Sequence, residues 1–297
     1  MPVYEWKARA YLPWSQVRGE LRVAALTFRP SRRTGEEGSL AQVEVEVETD
    51  AFTSDDRSRP AAVARGLRDL QASLQLWSLL TGRRWELVGA DAEILRVDDG
   101  GAPTCAIEAT ASLLADAIAV QQVRQSTLAQ LALAMELEGR LPSSQYAKPL
   151  GRTLDWTYRS LAEKDPVNRF AAAWIALNIV YDALSPGTAT GERAKIDTLA
   201  GSISDPERVL TACSGAMAVI HACPTDFRRS SGEDDGSELQ IALSAGHHGE
   251  ALRRFLQCSY TARCSLFHEG RWTDKVLWAL STALVGVLRE ALVQMLK

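Results

Sequence analysis

Two periodicities divide the chain. Gln42 to Glu48 alternates strictly, with Val43, Val45 and Val47 set between Gln42, Glu44, Glu46 and Glu48, the pattern of a half-buried strand. Leu21 to Phe28 and Trp85 to Val97 predict further strands, the second less regular. Between them, Ala61 to Leu80 spaces Val63, Leu67, Leu70, Leu74 and Trp77 by threes and fours, which predicts a helix. Arg29 to Gly38 and Thr53 to Pro60 read as charged or polar loops, and Asp98 to Gly101 as a turn. Residues 1–140 are therefore expected to form an α+β domain, and no catalytic motif stands out in it.

From about residue 122 the strand pattern gives way to the helical one. Leu128 to Leu137 reads as helical, and Pro142 to Gln145 as a linker. A helix from about Pro149 carries Leu150, Leu154, Tyr158 and Leu161. Asp165-Pro166 is a helix start, since proline suits a first turn. The helix it opens spaces Phe170, Ala173, Trp174, Leu177, Val180, Tyr181 and Leu184 as a core stripe, and Pro186-Gly187 ends it. Shorter helices are expected at 191–201 and 206–221, and two apolar ones at about 250–268 and 273–296. Thr225 to Gly249 reads as a long polar loop, with Asp234-Asp235 as a solvated charge run. Residues 146–297 are expected to form an all-α helical bundle.

Composition narrows the class. The chain has 297 residues, enough for two domains, and no internal repeat is evident. A net charge of −4 excludes a broad basic coat for nucleic acid, though not a local basic site. The five cysteines, Cys105, Cys213, Cys223, Cys258 and Cys264, are odd in number and scattered, which fits reduced thiols better than a disulfide framework. The first residues lack the apolar core of a signal peptide. Val276 to Leu288 is apolar over only thirteen residues, short of the roughly 20 that a membrane span needs. A soluble, cytoplasmic protein with no membrane partner is expected.

The chemistry concentrates in Tyr260 to Gly270, where Arg263 and His268 stand with four residues between them. A guanidinium holds phosphate without losing its charge, and an imidazole moves protons near neutral pH. On an ideal helix Leu252, Leu256, Tyr260 and Phe267 fall within about 60° of Arg263, and His268 about 140° away. A straight helix therefore does not aim both side chains at one phosphate; a bend, the reach of Arg263 or a second copy of the pair is required. The structural alternative is an Arg263 salt-bridged to a core acid, with Asp182 and Glu192 the nearest candidates, and His268 as a helix C-cap. No Walker A loop, G-x-S-x-G elbow or G-x-G-x-x-G fingerprint is present. Cys213, His221 and Cys223 lack paired zinc-ligand spacing, His247-His248 reads as solvated, and Trp156, Trp174, Trp272 and Trp278 as core.

Four blocks carry a family resemblance: Leu154 to Leu161, Asn168 to Asn178, Gly191 to Ile196, and Tyr260 to Gly270. In order and spacing they resemble the HEPN superfamily, in particular its Apea-like branch, over roughly residues 146–297. The resemblance implies a helical bundle that homodimerises and brings two R-x4-6-H motifs together. Many members are metal-independent endoribonucleases, and others are inactive structural or sensing modules. Carried onto this chain, Arg263 would hold the scissile phosphate of an RNA substrate. His268 would act as general acid or base, with no cofactor or metal and no DNA substrate expected. Cys264 stands where active members often have a polar residue, and Asn178 where they often have glutamate. No tyrosine follows His268 in the H-x-Y order of the HEPN toxins paired with nucleotidyltransferase antitoxins. Two expectations result: a ribonuclease, as in defence or stress response, or a non-catalytic dimerisation and sensing scaffold.

Overall fold

A computed structural model describes residues 4–13, 21–23, 26–35, 38–49, 75–82, 84, 89–97, 133–134, 136–137, 139–187, 191–229, 231–269 and 272–296, with the strand residues among 4–49 and 89–97, and Phe267, His268 and Glu269, described through their backbone only. The chain divides into two compact units, one of residues 1–77 and 85–138, the other of residues 78–84 and 139–297.

In the first unit, β1 (Tyr4–Pro13), β2 (Leu21–Val23), β3 (Leu26–Gly35), β4 (Gly38–Thr49) and β5 (Gly89–Val97) form a sheet in the order β2-β3-β4-β1-β5. Every pairing is antiparallel. The alternating segment lies in β4, where Val43, Val45 and Val47 stand opposite Ala10, Ala8 and Trp6 of β1. The same alternation runs through Tyr4, Trp6, Ala8, Ala10 and Leu12 of β1. Leu21 to Phe28 divides between β2 and β3. Arg29 to Gly38, expected as a loop, instead carries β3 through Gly35, with Thr34 opposite Ser39. Charged residues are no bar to a strand: from Arg29 onward β3 pairs with β4 alone, and that ladder satisfies backbone groups whatever the side chain. Residues 75–81 are helical. The rest of the expected helix from Ala61, the loop from Thr53, the turn at Asp98 and most of Leu128 to Leu137 lie outside the described residues.

The second unit is all-helical among its described residues. Its helices are α1 (Ala147–Ala162), α2 (Pro166–Leu184), α3 (Glu192–Ser202), α4 (Pro206–Ala212), α5 (Ser214–Ala222), α6 (Asp235–Ser244), α7 (His248–Glu269) and α8 (Asp274–Met295). Short 3-10 turns stand at Leu141–Ser143, in place of the expected linker, and at Pro224–Phe227. Asp165 caps α2 by accepting from the Asn168 amide at 2.8 Å, with Pro166 in the first turn, as its sequence requires. Phe170, Ala173, Trp174, Leu177, Val180 and Tyr181 are all buried, and α2 packs against α1, α3 and α8.

The buried face of α1 is less apolar than its leucines imply. Thr153, Thr157 and Ser160 are buried while Tyr158 and Leu161 are half-exposed. Thr153 donates to the Pro149 carbonyl at 2.9 Å, Thr157 to Thr153 at 2.8 Å, and Ser160 to the Arg169 carbonyl at 2.9 Å. A hydroxyl satisfied by main chain is cheap to bury. Arg169 completes this corner: its guanidinium donates to the carbonyls of Ser160 at 3.0 Å and Leu161 at 3.4 Å and lies 4.3 Å from the ring centre of Trp278. It caps the negative end of the α1 dipole, and burial lowers its pKa. Trp278 is accordingly not a core residue. It stays 44% exposed, because its ring covers the cation and not the apolar interior.

The expected loop from Thr225 to Gly249 is largely ordered helix. It contains the Pro224–Phe227 turn, α6 and the start of α7, with His248 Nδ1 3.5 Å from the Glu207 carboxylate. Gly236 allows the close turn-to-helix packing, since a Cβ there would lie 2.3 Å from the Pro224 carbonyl oxygen. Helix α8 is the one helix among the described residues long and apolar enough to cross a membrane. In its most apolar window, 67% of the residues are buried inside the bundle. It packs against α2, α4 and α5 as a core helix.

Candidate functional site

Arg263 and His268 both belong to α7, which runs as unbroken helix from His248 to Glu269. On an ideal helix of that continuity the two positions lie about 140° apart around the axis. The His268 side chain lies outside the described residues, so only the surroundings of Arg263 are described at atomic detail.

Arg263 is half-buried among polar groups from three helices. On α7, its Nη1 points at Cys264 Sγ, 3.9 Å away, and Tyr260 stands one turn earlier. The Tyr260 ring lies 6.0 Å from Trp174 of α2 and 5.0 Å from the guanidinium of Arg193 on α3. Glu192, the first residue of α3, accepts from Tyr181 Oη of α2 at 2.6 Å, and the Asn178 amide oxygen contacts the same phenol. Packing of α2 on α3, and of α3 on α7, brings these groups together.

The electrostatics follow from that arrangement. Burial works to lower the Arg263 pKa, but Cys264, Glu192 and Tyr260 together outweigh it and raise the value. Burial, then Glu192, holds the Tyr181 phenol far above its ordinary range. Burial, then Cys264 and Glu192, pushes Tyr260 up to about 12. At neutral pH both phenols are therefore protonated donors and Arg263 is a fixed cation. Of the two acids nearest to Arg263 in the sequence reading, Glu192 is the one whose field reaches it. Asp182 pairs with Lys195 at 2.7 Å instead.

A second charged cluster was missed. Asp235, read as solvated, is fully buried. Its carboxylate takes Arg229 Nε at 2.7 Å, Arg193 Nη1 at 3.3 Å and Arg254 Nη1 at 3.3 Å. The buried Gln257 extends this network, accepting from Arg229 at 2.6 Å and donating to Asp197 at 2.6 Å. Asp234, beside it, caps α6 by accepting from the Ser237 amide at 3.0 Å. Arg193 reaches both Asp235 and the Tyr260 ring, so the hub and the surroundings of Arg263 share one side chain. The only local signal was the pairing of acids before Gly236, which fits a helix start as well as a loop.

Among the described residues no group of three or more His, Cys, Asp or Glu is arranged to hold a metal. Cys213 is buried, donates toward the Ala283 carbonyl at 3.6 Å and has its thiol pushed up to about 12 by burial. Cys258 is buried too, and Cys264 half-buried. Comparison with models of protein families, with curated proteins and with solved structures finds no match to the chain.

Proposed function

We propose that the helical unit is a HEPN-type, metal-independent endoribonuclease whose active site pairs Arg263 and His268 across two copies of the bundle. The observation that carries the reading is the state of Arg263. It is half-exposed, a fixed cation in the field of Glu192, and stands on the same unbroken helix as His268. A continuous α7 sets the two side chains about 140° apart, so a second copy is the economical way to bring an imidazole to the phosphate that Arg263 holds. In the proposed reaction one His268 removes the proton of the RNA 2′-hydroxyl as that oxygen attacks phosphorus. The partner's His268 protonates the departing 5′-oxygen, leaving a 2′,3′-cyclic phosphate and a 5′-hydroxyl. Arg263 offsets the charge gathered on the phosphoryl oxygens. Residues 1–140, taken as an α+β domain, would serve as sensor or specificity module. The described cysteines are free thiols, in keeping with a reducing, cytoplasmic setting.

One observation favours a second reading, a non-catalytic HEPN scaffold. Glu192 acts on Arg263 from the same site, as a structural ion-pair partner would. The test separates the two. The full chain, Arg263→Ala and His268→Ala are incubated with mixed RNA in excess EDTA. Cleavage by the parent chain that is lost in both variants supports the ribonuclease. Equal background in all three supports the scaffold.

A further inference from the structure

A cavity of about 400 Å³ opens between α5, the Pro224–Phe227 turn and the first turn of α8. That volume falls within the roughly 300–1,000 Å³ of small-molecule sites. Gly215 and Ala222 of α5 leave its floor apolar and shallow in side chain. Phe227 and Trp272 form an aromatic wall, with ring centres 4.8 Å apart. The indole N–H of Trp272 is buried in that wall and finds no acceptor among the described residues. Two charged side chains of opposite sign, Asp226 and Lys275, also line the space, and neither forms an ion pair with another described residue.

We propose that this cavity binds a free α-amino acid with a large apolar side chain. The apolar floor and aromatic wall suit the side chain. Lys275 suits the carboxylate and Asp226 suits the ammonium. A simple apolar acid would leave Asp226 facing its carboxylate, and an apolar amine would leave Lys275 facing its ammonium. The proposal stands apart from the ribonuclease reading, and neither depends on the other.

Isothermal titration of the full chain with L-tryptophan, L-phenylalanine and L-leucine tests it, with tryptamine and indole-3-propionate as analogues lacking one charge. At least one of the three amino acids is expected to bind, with each analogue of L-tryptophan about ten-fold weaker than the parent. Gly215→Leu adds its side chain where nothing lies within 4 Å of a new Cβ, so it narrows the cavity without disturbing the helix and should weaken binding by at least about ten-fold. Lys275→Met should weaken binding about ten-fold, with an unchanged circular dichroism spectrum in both variants. The proposal fails if none of the three amino acids binds, if indole-3-propionate binds as well as L-tryptophan, or if Gly215→Leu leaves the affinity unchanged.

Discussion

The phenol of Tyr181 donates a 2.6 Å hydrogen bond to the carboxylate of Glu192, tying α2 to the first turn of α3 beside Arg263. A phenol has one proton, and a carboxylate at a helix N-terminus is a stronger acceptor than the Asn178 amide that also touches it. The bond therefore fixes Glu192, and through its charge it fixes the field at Arg263.

The pH response follows from the sign of these shifts. Tyr181 and Tyr260 both have folded values above the ordinary phenol value of 10.0, and Tyr260 reaches about 12. The folded state thus keeps protons that the unfolded chain releases, so this stability is present below pH 10 and lost as pH rises above it. In Glu192→Gln the Tyr181 phenol loses its charged acceptor and should ionise at lower pH than in the parent. Phenolate absorbance of the native protein, with Tyr181→Phe as the reference, measures this. An unchanged titration curve in Glu192→Gln would show that burial alone sets the Tyr181 value.

Asp235→Asn should cost the helical unit about 3–5 kcal/mol, because it leaves three guanidinium groups around a buried neutral amide. Arg254→Met should cost less, since Asp235 keeps Arg193 and its shortest partner, Arg229. Urea unfolding reads both as a lower midpoint with unchanged slope. Equal losses for the two variants would mean that the hub is held by its outer contacts and not by the carboxylate.

What the sequence could and could not reveal follows from the range of the forces involved. Helix α2 was legible from Asp165 to Leu184 because its cap, its first-turn proline and its apolar stripe are all local. Asp235 was not, because its arginines lie 42, 6 and 19 residues away and only tertiary packing collects them. The buried hydroxyls of α1 escaped for a related reason: main-chain carbonyls satisfy them, and periodicity counts only apolar residues. At the candidate site the sequence offered Arg263, His268 and a choice between Asp182 and Glu192. It could not weigh Tyr181 or Arg193, whose roles come from how α2, α3 and α7 pack.

Two glycine substitutions should move stability in opposite directions. Gly236→Ala sets a Cβ 2.3 Å from the Pro224 carbonyl oxygen and 2.8 Å from its Cα, both backbone atoms, so the turn or α6 must shift. About 2–3 kcal/mol should be lost. Gly201→Ala meets nothing within 4 Å and removes unfolded-chain freedom inside α3, which should add about 0.5–1 kcal/mol. Thermal melts of the two variants against the parent give the comparison. A neutral Gly236→Ala would mean that the turn yields at little cost.

The residue after Arg263 offers the sharpest functional prediction. Cys264 Sγ sits 3.9 Å from Arg263 Nη1, a weak contact because sulfur is a poor acceptor. An asparagine there offers a carboxamide oxygen to the guanidinium and an amide N–H to a bound phosphate. If the ribonuclease reading holds, Cys264→Asn should speed RNA cleavage about three- to ten-fold, the worth of one added hydrogen bond, while Cys264→Ala changes it by less than about two-fold. Both rates are measured in EDTA on the full chain, with Arg263→Ala as background. A Cys264→Asn variant slower than the parent would mean that the thiol, bonded to both Arg263 and Tyr260, positions the guanidinium better than an amide can.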